Sequence, residues 1–217
     1  MRKPDVNYKL IFFDLDGTLI KCKSSWELVH EKFNTLPEAR KALEEYRIGR
    51  ITYQEFMVKD VSSWLRKKKS IHISEIEKIL DNYELNEGAE NTISEIKRKG
   101  IRVVILSAGI NLLTEKVGQR LGVYKVFSNR LEVDHLGYLT GRGIEVVDPY
   151  RKDLLLRNTC KIENLPLHET VAVGDTIYDL NMLMTAGLGF YFGNAEDIKH
   201  KKIKAIYSLE EILTYLS

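Results

Sequence analysis

The chain has 217 residues, 44% of them hydrophobic and 29% charged, with a formal net charge of +2. That mix fits one globular core with room for an insertion and excludes a disordered chain; the near-neutral balance offers no strong field to nucleic acid or anionic membrane. No apolar run approaches the ~18 residues of a membrane helix, and the two separated cysteines, Cys22 and Cys160, make neither a disulfide framework nor a cysteine-rich zinc site. The expectation is a soluble cytoplasmic protein, monomer or homodimer, without nucleic-acid or membrane partners.

Residues 8–13 (YKLIFF) read as a central strand covered on both faces. Residues 21–86 carry no strand pattern. There, Thr35 followed by Pro37 starts a helix that Gly49 stops. Thr52 and Glu55 form a capping box for a helix carrying Tyr53, Phe56, Met57, Trp64 and Leu65, and Ser74 with Glu77 suggests a second box. After this helical unit the pattern alternates. A helix at 89–99 is stopped by Gly100, then come a strand at 102–106, a helix at 110–121, a short strand at 125–128 and a hairpin at 131–134 and 138–140. A helix at 152–160, a strand at 170–173, a helix at 180–186, strands at 188–192 and 205–206 and a helix at 209–216 follow. Strands separated by helices imply right-handed crossovers. The expected fold is a doubly wound, mostly parallel, Rossmann-like α/β core (1–20 and 87–217) with a small helical cap (21–86) inserted after the first strand. Ligands in such sheets lie outside the carboxyl ends of the strands.

Three strands deliver chemistry to those ends. The first delivers Asp14-Leu-Asp16-Gly17-Thr18, which alone is equally a charged turn. The second delivers Ser107-Ala108-Gly109, a hydroxyl and successive N–H groups suited to an anion, or simply a helix N-cap. A later strand delivers Gly174-Asp175, with Asp179 four residues on, and Lys152 opens the preceding helix. Carboxylates gathered at one sheet edge repel one another unless a cation lies among them, and all-oxygen ligands favour a hard ion such as Mg²⁺. A lysine and a Ser/N–H cradle suit phosphate. A carboxylate facing a phosphate can attack it, and a second one can act as acid and then base.

With DLDGTL at 14–19, LSAG at 106–109, Lys152 and VGDTIYD at 173–179, the sequence resembles the haloacid dehalogenase superfamily over nearly the whole core. The helix AENTISEIKRKG, SNRL at 128–131, LTG at 139–141 and ETVAVGD at 169–175 are similar to its phosphoserine phosphatase branch. The resemblance implies an Mg²⁺-dependent phosphatase acting on a small phosphorylated metabolite. Asp14 would be the nucleophile and a metal ligand. Asp16 would be the acid and base, its backbone carbonyl a further ligand. Gly17, Ser107, Ala108 and Lys152 would face the phosphate, and Asp175 and Asp179 would hold the ion.

The same resemblance exposes a departure. The branch grips the substrate's ammonium with a Glu nine residues after the nucleophile, where this chain has Lys23. It grips the carboxylate with a cap-helix Arg, where alignment through Gly49, Ile51 and Tyr53 places Asp60. An Asn preceding the last motif aspartate is Tyr178 here. Lys23, Tyr53, Asp60 and Tyr178 are thus candidate specificity residues in a charge-swapped pocket, and the substrate is expected to differ from phosphoserine. A true phosphoserine phosphatase, a phosphotransferase passing the group to an alcohol, and a phospho-ligand sensor without turnover are the alternatives; intact Asp14, Asp16, Lys152 and Asp175 speak against the sensor. The five histidines, His30, His72, His135, His168 and His200, lack metal-ligand spacing and read as surface or turn residues, and Arg66-Lys67-Lys68-Lys69 as a solvated helix end.

Overall fold

The structure is a computed structural model describing residues 6–194, 200 and 202–216. The expected core limits at residues 1 and 217 lie outside the described residues.

Seven strands form one sheet: β1 Leu10–Phe13, β2 Arg102–Ile110, β3 Lys125–Val133, β4 Leu139–Ile144, β5 Thr170–Gly174, β6 Leu188–Phe192 and β7 Ile203–Ile206. Their order is β4-β3-β2-β1-β5-β6-β7, parallel throughout except for the β3–β4 pair. The chain starts in the middle and winds outward both ways, so the switch point lies at the end of β1. There Phe13 pairs with Ile105 on one side and Val173 on the other. Asp14, Leu106 and Gly174 therefore stand at the same level, one residue beyond those pairs, which brings together motifs far apart in sequence.

Every β1 residue is fully buried, and each such apolar side chain contributes about 1.5–3 kcal/mol. Alternation decides which layer each enters. Ile11 and Phe13 pack with residues of α5 (Ala89–Arg98), α6 (Asn111–Leu121) and the closing 3₁₀ segment Leu209–Tyr215. Leu10 and Phe12 pack with α7 (Lys152–Ile162) and α8 (Leu180–Thr185).

Between β1 and α5 lie α1 (Ser25–Phe33), α2 (Leu36–Arg47), α3 (Tyr53–Lys67) and α4 (Ile73–Leu80). Both connections to the core run side by side: Lys21 N–H donates to Glu84 O at 2.9 Å and Asn86 N–H to Leu19 O at 2.9 Å. The Thr52/Glu55 capping box is present. No helix among the described residues is long and apolar enough to cross a membrane.

Several local expectations are corrected. The second capping box is made by His72 and Glu75, because the His72 ring accepts the Ser74 N–H that a Ser74 cap would have left outside the helix. Strand β3 runs unbroken from 125 into the hairpin, since its first half pairs with β2 and its second with β4. Strand β2 continues through Ser107, Ala108 and Gly109, so Ser107 is a strand residue, and α6 starts at Asn111 with no side-chain cap. His30 is 1% exposed, inside the cap.

Candidate active site

At the carboxyl end of β1, Asp14 is buried and its N–H donates to Val173 O at 2.9 Å. The turn that follows needs a glycine. Gly17 has φ +85°, and a Cβ there would lie 2.2 Å from Asp175 Oδ2. Its N–H donates to Ile20 O and Cys22 O within the turn, so its contribution is clearance for Asp175 rather than the expected phosphate contact. The Asn86 amide fastens the turn by donating to the carbonyls of Gly17, Thr18 and Ile20.

Lys152 is 3% exposed and donates to Asp14 Oδ1 at 2.7 Å and Asp179 Oδ1 at 2.6 Å. Burial opposes its charge, but the two carboxylates outweigh burial and hold its pKa above the ordinary lysine value. Asp179 Oδ2 accepts from Thr176 N and Oγ1, and Asp175 Oδ1 accepts from Thr18 Oγ1. One carboxylate oxygen from each of Asp14, Asp175 and Asp179 lies within 4.8 Å of the others. Burial, opposed by Lys152, pushes Asp14 well above the usual carboxylate range. Burial and the neighbouring Asp179 push Asp175 up to about 6. Three crowded carboxylates sharing one ammonium are short of positive charge, and an all-oxygen set of this kind fits a hard divalent cation.

Asp16 turns from this cluster toward α1. Its Oδ2 accepts from Ser25 N at 2.8 Å and Ser25 Oγ at 2.9 Å, while its buried Oδ1 has no hydrogen-bond partner among the described residues. Burial raises its pKa and the Ser25 donors partly offset that.

On β2, residues 107–109 run past the last β1 pairing and through a break in the β3 register between Leu106 and Ile110. Ser107 Oγ accepts the Gly109 N–H at 3.0 Å. The Ala108 carbonyl accepts from Trp26 Nε1, Tyr53 OH and Asn129 Nδ2, so two cap side chains and one β3 side chain fix this peptide.

These residues floor a cavity of about 340 Å³ beneath the cap. Trp26, Leu36, Leu43, Tyr46, Tyr53 and Phe56 wall it, and Lys23, Arg40 and Arg47 line it together with Glu27. Lys23 is exposed and forms no ion pair among the described residues. Tyr178 OH accepts from Arg47 Nε at 2.8 Å, joining α2 to the core loop after β5. Asp60 also lines the cavity but is 1% exposed, with Oδ2 3.3 Å from His30 Nε2 in a contact too poorly angled for a hydrogen bond. The Trp64 indole N–H, a donor only, donates to His30 Nδ1, which leaves the ring proton on Nε2, facing Asp60. Burial raises the Asp60 pKa, with His30 opposing.

The chain matches the haloacid dehalogenase-like hydrolase family over residues 11–184. It belongs to that family. A phosphoserine phosphatase of Methanocaldococcus jannaschii is 35% identical over 212 residues, covering 96% of this chain and 97% of that protein. One of Archaeoglobus fulgidus is 31% identical across 88% of this chain and 54% of its own length. A solved substrate-bound phosphoserine phosphatase complex superposes with a TM-score of 0.79 at 32% identity, covering 97% of this chain and 99% of that one. The fold and the enzyme class expected from the sequence, a haloacid dehalogenase-type phosphoric monoester hydrolase, are borne out.

The structure brings Asp14, Asp175, Asp179 and Lys152 together, with Asp16, Ser107 and Ala108 lining the adjoining cavity. Thr18, Ser25, Asn86, Asn129 and Thr176, which support them, escaped the sequence reading. For Thr18, Asn86 and Asn129 the partners lie 17 or more residues away, and such a contact has no periodic signature.

Proposed function

We propose that this protein hydrolyses a small phosphomonoester through an aspartyl-phosphate on Asp14, with Mg²⁺ as cofactor. The observation that carries this is the ammonium of Lys152 clamped 2.7 Å from Asp14 at the one sheet edge where Asp175 and Asp179 also gather. Lys152 opposes the burial that raises the Asp14 pKa and offsets repulsion between that carboxylate and the incoming dianion. Ser107 and the Ala108 N–H are placed to hold phosphate oxygens. Asp16 protonates the leaving oxygen, then takes a proton from the attacking water. Asp14, Asp175, Asp179 and the Asp16 backbone carbonyl would hold the ion, whose charge would stabilise the phosphoryl oxygens.

The relatives' names supply phosphoserine as one reading of the substrate. The cavity favours another. The position nine residues after Asp14 is Lys23, whose charge disfavours an ammonium. Asp60 is engaged with His30 inside the cap and offers no cation for a carboxylate. The walls are aromatic and aliphatic, and three exposed cations, Lys23, Arg40 and Arg47, line the cavity with one exposed acid, Glu27. Lys23, Tyr53, Asp60 and Tyr178 then set specificity for an alcohol with an apolar body and no ammonium.

Hydrolysis of an aryl phosphate with and without Mg²⁺, by the wild type and Asp14→Asn, tests the chemistry: activity should need the ion and vanish in the variant. Full turnover in metal-free buffer, or by Asp14→Asn, would sink it. Comparing kcat/KM for L-phosphoserine with sugar, amino-alcohol and apolar alcohol phosphates tests the substrate, and phosphoserine at the head of that panel would overturn the specificity reading. Added acceptor alcohols distinguish transfer from hydrolysis.

A further inference from the structure

The cap's first helix reaches the reaction centre through one side chain that no family motif includes. Ser25 is the first residue of α1 and is fully buried. Its N–H and its Oγ–H both donate to Asp16 Oδ2, at 2.8 and 2.9 Å. The same Oγ accepts the Ile110 N–H at 3.0 Å, where β2 passes into α6. That acceptance fixes the hydroxyl rotor: with one lone pair directed at Ile110, its single proton points to Asp16. Gly109 admits this arrangement, since a Cβ there would lie 2.4 Å from Ser25 Oγ and 2.8 Å from Asp16 Oδ2. The remaining oxygen, Asp16 Oδ1, is buried and without a hydrogen-bond partner among the described residues.

We infer that Ser25 is the positioning residue for Asp16, directing two donors at Oδ2 so that Oδ1 is the oxygen that delivers and later collects the proton. The inference rests on the reading of Asp16 as acid and base. An oxygen that already accepts two hydrogen bonds is a poor seat for a proton, and the carboxyl cannot rotate without giving up both donors. As the bond from phosphorus to the ester oxygen breaks and the bond to an Asp14 oxygen forms, the Oδ1 proton passes to the ester oxygen. In the second half, water's oxygen bonds to phosphorus, the bond to Asp14 breaks, and a water proton returns to Oδ1. Because Ser25 belongs to α1, the acid is aligned only while the start of that helix is seated on β2. Trp26, the next residue, secures that seat by donating to the Ala108 carbonyl.

The test compares Ser25→Ala, Asp16→Asn and the double variant on an aryl phosphate and a simple alkyl phosphate with Mg²⁺ present. A good leaving group needs little acid help, and general acids contribute roughly 10²–10⁴-fold where help is needed. Ser25→Ala should therefore lose about 10- to 100-fold in kcat/KM on the alkyl ester and less than about threefold in kcat/KM on the aryl ester, because kcat/KM reports only the steps through loss of the alcohol and not the later water step that both esters share. In the Asp16→Asn background it should cost nothing further, as expected of a residue that acts through Asp16. Equal losses on both esters, or a loss that persists in the Asp16→Asn background, would overturn the inference. If Asp16→Asn itself lowers both esters equally, the acid assignment fails instead, and the two failures are told apart. The aryl rate reports folding; should Ser25→Ala not fold, Ser25→Cys, similar in size and a weaker donor, receives the same comparison.

Discussion

Replacing Lys152 by methionine removes a charge from a site that has no spare one. The ammonium lies 2.7 Å from Asp14 and 2.6 Å from Asp179, and the side chains are 3%, 7% and 0% exposed. Methionine keeps an unbranched chain of similar length, so lost packing is a minor part of the effect. Removing one partner of a buried ion pair costs about 3–5 kcal/mol, because the other charge stays desolvated and unpaired. Here two carboxylates are left, beside Asp175. Asp14, which burial already holds well above the usual carboxylate range, then loses the charge that opposes that rise, so its folded-state pKa climbs further above the unfolded value of about 4. A carboxyl raised in this way destabilises the fold above its folded pKa and ceases to do so below its unfolded one. The deficit relative to wild type should thus be about 3–4 kcal/mol at pH 8 and shrink by about 1.4 kcal/mol per pH unit for each proton taken up, falling below about 1 kcal/mol by pH 5. Urea unfolding followed by circular dichroism in EDTA measures it. A deficit under about 1 kcal/mol at pH 8, or one equal at pH 5 and pH 8, would refute the view that Lys152 neutralises a buried acidic cluster.

Gly17→Ala should lose about 1–3 kcal/mol of stability and weaken Mg²⁺ binding, because the new Cβ meets Asp175 in a left-handed turn; calorimetry of wild-type affinity in the variant would contradict this. Asn129→Leu leaves three backbone groups without their Asn129 partner, the Val146 N–H and the Val147 N–H and C=O, while Ala108 O keeps Trp26 and Tyr53, and should cost about 3–5 kcal/mol in denaturant unfolding; a loss under about 1 kcal/mol would show that water replaces the amide. Asp175, pushed up to about 6 by burial and Asp179, must lose its proton before it can bind an ion. Mg²⁺ affinity should therefore fall as pH drops through that range, by about tenfold per unit, with proton release visible in buffers of different ionisation enthalpy; an affinity flat from pH 5 to 8 would exclude it.

Much of the fold was legible in the sequence because its signals are local. The apolar run 10–13 can only be a covered strand, and the Thr52 and Glu55 box closes within three residues. Asp14, Asp16, Asp175 and Asp179 were legible because carboxylates directly after buried strands are costly without a purpose. What only the tertiary structure decided depends on where distant segments come to rest. His30 looks like a surface histidine until α3 brings Trp64 and Asp60 against it. Asp60, aligned to a recognition position, turns out to be paired within the cap. Gly17 fits any tight turn, yet its necessity comes from Asp175, 158 residues later in the chain, which occupies the space a Cβ would need. Ser25 became significant only when the register of β1 with β2 placed Asp16 beside Ile110 and the cap seated α1 over both. A sequence pattern encodes contacts within a few residues of one another; the direction of a buried hydroxyl is set by whichever partners the completed packing leaves within reach.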